Sequence, residues 1–399
     1  MWAFVLTGAC VSGLDPLTPG FLLFAALGIG AHLAGMATRR LQGRKHLRKF
    51  SATQTPTVVL ARQWRRGRRI SVLMLLALAL GVAFFLHAYA QLVPSLDAIG
   101  LVAMRNVYLD EVKGTGDKLF IYTTHLTLLG IVVMYFMARN HSVGTQLGLR
   151  QSRVLFNMVA TASFCAGLLT TGRTAPLLVI ICYTFYCLRF RLYTKNRIVG
   201  SFFALSIAMF FLVALALGKE GLGDDSALSA LGNLFKVYFF SAPAAMQAVF
   251  VHNLSVTDVC SNIFSYPVDL AKKFGYFQQC DVRDLDFVFV PVATNVFTFL
   301  RSYWEDFGWG YPVALFCVGY LIEANYEGAR RKDGFAAFIY PFVLNSLLLQ
   351  IFEEQLFANG SVFAYLAVFY LILRLLFIGR HPRRPTAPGD PQKNRLSPA

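Results

Sequence analysis

The stretch Thr294–Gly310, TNVFTFLRSYWEDFGWG, sets an arginine, two carboxylates, an amide and several hydroxyls among aromatic rings in a chain that is otherwise mostly apolar. Placed on a helix at about 100° per residue, Asn295, Thr298, Arg301, Ser302, Glu305 and Asp306 fall within an arc of about 140°. Phe297, Leu300, Trp304 and Phe307 fill the opposite side. A guanidinium on such a face is a fork for carboxylate or phosphate oxygens. A carboxylate beside it can orient a hydroxyl or take its proton. The same residues allow a plainer arrangement. Arg301 and Glu305 are spaced i,i+4 and can simply pair with each other, and Asn295 can cap a helix.

A second arginine, Arg173, lies in TTGRTAP between two apolar runs, with no acid among its close neighbours. An arginine at membrane depth takes a partner or an anionic ligand, or snorkels to the headgroups. Arg173 and Arg301 together suit the oxygens of a diphosphate arriving from the lipid. Lys236 and Tyr238 can contact phosphate or sugar, or anchor at the interface. His252 is the one histidine of a long polar stretch and a candidate base. Arg105 reads as a surface residue, Glu353 and Glu354 as solvated loop charges, and His87 and His125 as structural. No His/Cys cluster has metal-ligand spacing, so no metal or other cofactor is expected. Cys260 and Cys280 are candidates for a disulfide if their loop faces an oxidising compartment.

These residues are carried by apolar runs. The 399 residues are 56% hydrophobic and 15% charged, with a mean hydropathy of +0.54. Continuous runs of about 20 apolar residues predict membrane-spanning helices rather than the alternating strands of a barrel. The spacing predicts ten spans: Met1–Leu14, Thr18–Ala37, Ile70–Val93, Leu119–Ala138, Val154–Thr171, a sixth ending at Leu188, Ile198–Gly218, Phe307–Asn325, Phe335–Phe352 and Ser361–Ile378. Met1–Leu14 lacks a basic leading region and reads as retained rather than as a signal peptide. The predicted organisation is a bundle over 1–218, a large polar loop over 219–306, three further spans over 307–379 and a Pro-rich basic tail over 380–399. Within the loop, Ala227–Val251 is apolar but interrupted by Lys236, Ser241 and Pro243. It reads as one or two interfacial or re-entrant helices.

The net charge of +16 would suggest nucleic acid in a soluble protein, but its distribution says otherwise. Eleven of the 37 basic residues lie in 38–69, where there is no acid. Segments 38–69, 139–153, 189–197, 326–334 and 380–399 hold 26 basic residues and 3 acids, while 94–118 and 219–307 hold 9 and 14. By the positive-inside rule the first set is cytoplasmic and the long loop is on the outer face. No internal repeat is visible, which weighs against a transporter built from repeated halves.

Taken together, the basic loop 38–69, the GRTA turn at Gly172–Ala175, the long loop with YFFSAP at Tyr238–Pro243, and TNVFTFLRSYWEDFG at Thr294–Gly308 resemble the Wzy-type oligosaccharide repeat unit polymerases, the O-antigen polymerases. The likeness covers most of the chain in architecture and the short motifs in residues. It implies a glycosyltransferase of the C-type architecture in the bacterial inner membrane, with its active site facing the periplasm. It would act on undecaprenyl-diphosphate-linked oligosaccharides, with a polysaccharide co-polymerase as partner. It further implies that Arg173 and Arg301 stabilise the leaving diphosphate, that Asp306, Glu305 or His252 serves the acceptor hydroxyl, and that Asn295, Thr298 and Tyr303 bind sugar or diphosphate oxygens. Two rivals stay open. An O-antigen ligase shares the architecture and depends on a loop histidine, and a lipid-linked oligosaccharide flippase is not an enzyme.

Overall fold

The computed structural model describes residues 5–7, 17–46, 70, 72–84, 86–87, 116–141, 149–168, 174–193, 200, 204, 227–252, 261–277, 288–289, 293–294, 297–331, 334–350, 356–357 and 359–378. They are almost entirely helical. The helices are α1 (Pro19–His46), α2 (Val72–Phe84), α3 (Gly116–His141), α4 (Leu149–Leu168), α5 (Thr174–Arg189), α6 (Ala227–His252), α7 (Ser265–Lys272), α8 (Leu300–Phe307), α9 (Tyr311–Arg331), α10 (Phe335–Leu349) and α11 (Gly360–Ile378). A two-residue antiparallel ladder pairs Val288 with Thr294 and Phe289 with Ala293.

Among the described residues, three helical runs are long and apolar enough to cross a membrane: Pro19–Gln42, Leu300–Arg330 and Gly360–Phe377. The shortest has 18 residues, about 27 Å at 1.5 Å per residue, close to the hydrocarbon thickness of a bilayer. Shorter apolar helices accompany them, including Thr123–Arg139, Arg153–Leu168, Thr174–Arg189 and Phe335–Leu349. The architecture is that of a helical membrane protein. Two hydroxyls inside these helices bond to their own backbone, Thr127 to the Thr123 carbonyl and Ser163 to the Val159 carbonyl.

Contacts fix the helix directions. From one end to the other, α1 meets α9 through Gly28 beside Tyr311 and Leu315, Gly35 against the Phe316 carbonyl, Gly319 against the His32 carbonyl, and Arg40 paired with Glu323. The two helices therefore run parallel. In lipid, where apolar burial drives no association, close approach at small residues supplies the dispersion contact. Rings of α3 meet α11 in the same sense, His125 on Tyr365 and Phe136 on Phe377, so these two also run parallel. Helix α10 runs opposite to α9: Ala336 touches Gly328 at one end, and the Gln350 carbonyl accepts the Phe299 N–H at the other. Helix α5 ends with Arg189 on the Arg330 carbonyl and Tyr186 on the Phe338 carbonyl, so its first residue, Thr174, points toward the Arg301 end. The end away from Arg301 collects Arg39, Arg40, Arg189 and Arg330.

The described residues form several apolar clusters, two of them large. One joins α3, α4, α5, α10 and α11 around Tyr135, Tyr186, Phe338 and Tyr370. The other joins α1, α6, α8 and α9 around Phe24, Leu300, Tyr303 and Tyr311.

One expectation is narrowed to one of its alternatives, and one changes. Ala227–His252 is one continuous helix with Pro243 inside it, the one-helix form of the expectation for Ala227–Val251. Ser241, Ala242, Ala244, Ala245 and Met246 are buried, so protein rather than lipid surrounds the middle of the helix. The helix bearing Arg301 begins at Leu300, not near Thr294, because Ala293 and Thr294 belong to the ladder and the turn at Thr298 and Phe299 intervenes. The single polar arc over 295–306 therefore holds only from Leu300 onward. The predicted spans over Met1–Leu14 and Ile198–Gly218 fall mostly outside the described residues.

Candidate functional site

Helix α8 is two turns long and leads through a 3-10 turn, Gly308–Gly310, into α9. Gly308 takes φ 50°, which a side chain would strain, and it ends α8 so that α9 can restart at Tyr311. The aromatic side of α8 is anchored: Trp304 sits edge-on to Phe24 and Phe250, and the Tyr311 hydroxyl donates to the Phe24 carbonyl at 2.6 Å. These contacts fix the rotation of α8 and so the direction of its polar side.

That polar side is closed, not wet. Arg301 is 0% exposed, and Thr298 and Ser302 are buried beside it in sequence. Arg301 Nη1 donates to Glu305 Oε2 at 2.7 Å and to Asn262 Oδ1 at 3.3 Å, and the guanidinium lies 5.4 Å over the Phe297 ring. Asn262 Nδ2 donates to Glu305 Oε2 at 2.9 Å and to Asp306 Oδ1 at 3.1 Å. Asp306 also accepts the Asn262 N–H at 2.9 Å, the Ile263 N–H at 2.8 Å and the Ser261 hydroxyl at 2.6 Å. The Ser261 oxygen in turn accepts the Phe264 N–H. Asp306 thus holds the turn that opens α7, and Asn262 links it to the Arg301–Glu305 pair. Thr298 Oγ1 and Ser302 Oγ have no hydrogen-bond partner among the described residues, an arrangement that costs free energy unless a further group meets them.

The structure brings Arg301, Glu305 and Asp306 into one network, with Tyr303 buried in the adjoining core and Thr298 in the turn before α8. His252 is exposed at the last residue of α6. Lys236 and Tyr238 lie on α6, with side chains outside the described set. Arg173, Asn295, Glu353, Glu354, Cys260 and Cys280 lie outside the described residues. No group of three or more metal-ligating side chains occurs among the described residues. Ser261 and Asn262 were missed by sequence reasoning. A Ser-Asn pair before a helix is a recognisable cap signal, but nothing local names a partner some 40 residues on.

No protein family, curated protein or solved structure matches the chain.

Proposed function

We propose that the chain polymerises undecaprenyl-diphosphate-linked oligosaccharide repeat units, as its resemblance to the Wzy-type polymerases implies. The reading includes ten spans, the loop 219–306 on the periplasmic side of the inner membrane, and the arginine-rich end of the bundle in the cytoplasm. The observation that carries it is the buried Arg301 network at the opposite end, next to the entry of a membrane-crossing helix. A guanidinium in that setting acts in a low dielectric, where it stabilises developing charge far better than in water. In the proposed reaction an acceptor hydroxyl attacks the donor's anomeric carbon, the bond to undecaprenyl diphosphate breaks, and the diphosphate leaves with the bonding pair. Arg301, joined by Arg173, the residue before Thr174 in sequence, receives that charge. Glu305 orients Arg301. Asp306, whose oxygens hold the 261–264 turn, is a positioning residue, which leaves Glu305 or His252 to serve the hydroxyl. A co-polymerase sets chain length.

A second reading makes Arg301 a staple between α8 and the 261–264 turn; its complete burial favours this. Purified protein with lipid-linked repeat units and a co-polymerase separates the two. The polymerase reading expects a glycan ladder from the wild type and none from Arg301→Ala or Arg301→Lys that remains folded. No ladder from the wild type with active substrate ends the proposal. A full ladder from folded Arg301→Ala leaves the staple. Transfer of finished glycan to lipid A-core, lost on His252→Ala, would instead make the chain a ligase.

A further inference from the structure

We infer that residues 264–277 form a membrane-surface anchor that seats in the headgroup layer of an anionic bilayer and sets the depth of the Ser261–Ile263 turn. The inference rests on the membrane reading of α9 and α11 and on no enzymatic activity. None of the residues of α7 is buried in the protein. Around it Phe264, Phe274, Tyr276 and Phe277 are exposed, Phe274 at 74%. Such a cluster of rings is costly in water and at home where acyl chains meet headgroups. Phe277 adds strain: its φ of 53° is a conformation that bulky residues avoid, yet it presents its ring outward. A strained backbone aiming a ring away from the protein needs something to receive that ring.

Position identifies the recipient. Tyr266 packs against Gly360, the first residue of α11, and Phe264 stacks edge-on to Phe307 at the end of α8. The segment therefore lies where two membrane-crossing runs begin, and Trp309 and Val313, just past Phe307 in the chain, are exposed as well. Lys272 and Lys273 close the helix. Lys272 pairs with Asp269 at 3.9 Å and Lys273 is exposed, so the patch joins its rings to one net positive charge, which anionic headgroups attract. Because Asp306 binds the backbone of the turn just before this segment, the anchor ties the Arg301 network to the bilayer surface.

The test is photo-crosslinking of the full chain in vesicles of phosphatidylethanolamine and phosphatidylglycerol. Single p-benzoylphenylalanine residues replace Phe274, Phe277, Val313 or Asp269, and mass spectrometry reads the adducts. Phospholipid adducts are expected at 274, 277 and 313, with few at 269. In the Phe274 and Phe277 probes, Lys272→Gln and Lys273→Gln should each lower the preference for phosphatidylglycerol, by about fivefold per lysine at the surface. Lipid at 313 but none at 274 and 277 overturns the anchor alone, as does crosslinking of 274 or 277 to a second copy or another protein. No lipid at 313 overturns the membrane reading on which the anchor rests.

Discussion

The α1/α9 pair carries an arginine–glutamate site near each end, and the two are built in opposite ways. Arg301 and Glu305 belong to one short helix, and the arginine is the sealed partner, at 0% exposure against 12% for the glutamate. Arg40 and Glu323 join two helices, and the glutamate is sealed, at 2% against 57% for the arginine. Arg40 grips Glu323 through two nitrogens, at 2.8 and 3.4 Å, while Arg39 reaches Glu327 at 3.5 Å and the Tyr320 hydroxyl at 3.3 Å. The second site is a clamp: its cations touch the surroundings and its anions face the partner helix. The first puts a cation inside the protein, and the buried hydroxyls of its sequence neighbours Thr298 and Ser302 have no hydrogen-bond partner among the described residues. A fold needs only the clamp to hold α1 on α9. Both sites seal one charge at a cost, and the unsatisfied hydroxyls are what set the first apart and suggest a task beyond holding helices together.

The sharpest way to break this contrast is to remove each arginine in turn. Arg301→Ala breaks a buried network and should lower unfolding stability by about 3–5 kcal/mol, as lost partners of buried charges do, while ending polymer formation in the fraction that stays folded. Arg301→Lys keeps the charge but not the fork, and should recover stability better than activity. Arg40→Ala leaves the sealed Glu323 alone, so it should lower the melting temperature in detergent but leave polymer formation per folded molecule near wild type. Adding Glu323→Gln should return much of that loss. Equal activity losses from Arg301→Ala and Arg40→Ala, after correction for folded protein, would erase the difference between the sites.

Asp306 sharpens the comparison from inside the first site. It takes two backbone N–H bonds and a hydroxyl from the Ser261–Ile263 turn. Asp306→Asn keeps the shape but turns a donor toward donors, and should cost about 1–3 kcal/mol of local stability. Limited proteolysis within 261–277 should then speed up about tenfold or more, with a smaller change in the global melting temperature. Unchanged cleavage would mean that Asp306 does not hold the turn.

How much of this was legible in the sequence differs between the two sites. The helices themselves were, because long apolar runs leave the backbone no alternative in lipid. The i,i+4 spacing of Arg301 and Glu305 announced their pairing. The Asn262–Asp306 link was not legible, since the residues are separated by 44 positions and only the folded turn brings them together. Nor was the continuity of α6. Pro243 removes one backbone donor, a strong local signal for a break, but packing of Ala244, Ala245 and Val249 on Phe297 outweighs it. The clamp was hidden for a different reason: Arg39 and Arg40 read as part of a basic loop, whereas α1 continues to His46 and carries them onto α9.

The smallest expected effect asks whether the two sites communicate through the helices between them. At Gly35 an added methyl would overlap the Phe316 carbonyl oxygen, whereas at Gly30 nothing lies within 4 Å. Gly30→Ala faces outward and should be neutral or stabilising by up to about 1 kcal/mol, the usual gain over glycine in a helix. Gly35→Ala must push α1 away from α9, at about 1–3 kcal/mol for an overpacked contact. The separation should weaken the Arg40–Glu323 clamp first, since its bonds cross the gap. It should leave the Arg301–Glu305 pair intact, since that pair lies within one helix. Thermal unfolding of Gly35→Ala, Arg40→Ala and the double variant reads this directly. Losses well short of additive place Gly35 and the clamp in one unit. The matching set with Arg301→Ala should be additive, because α8 is held by Trp304 on Phe24 and Phe250 and by the Phe299 bond to Gln350, not by the crossing at Gly35.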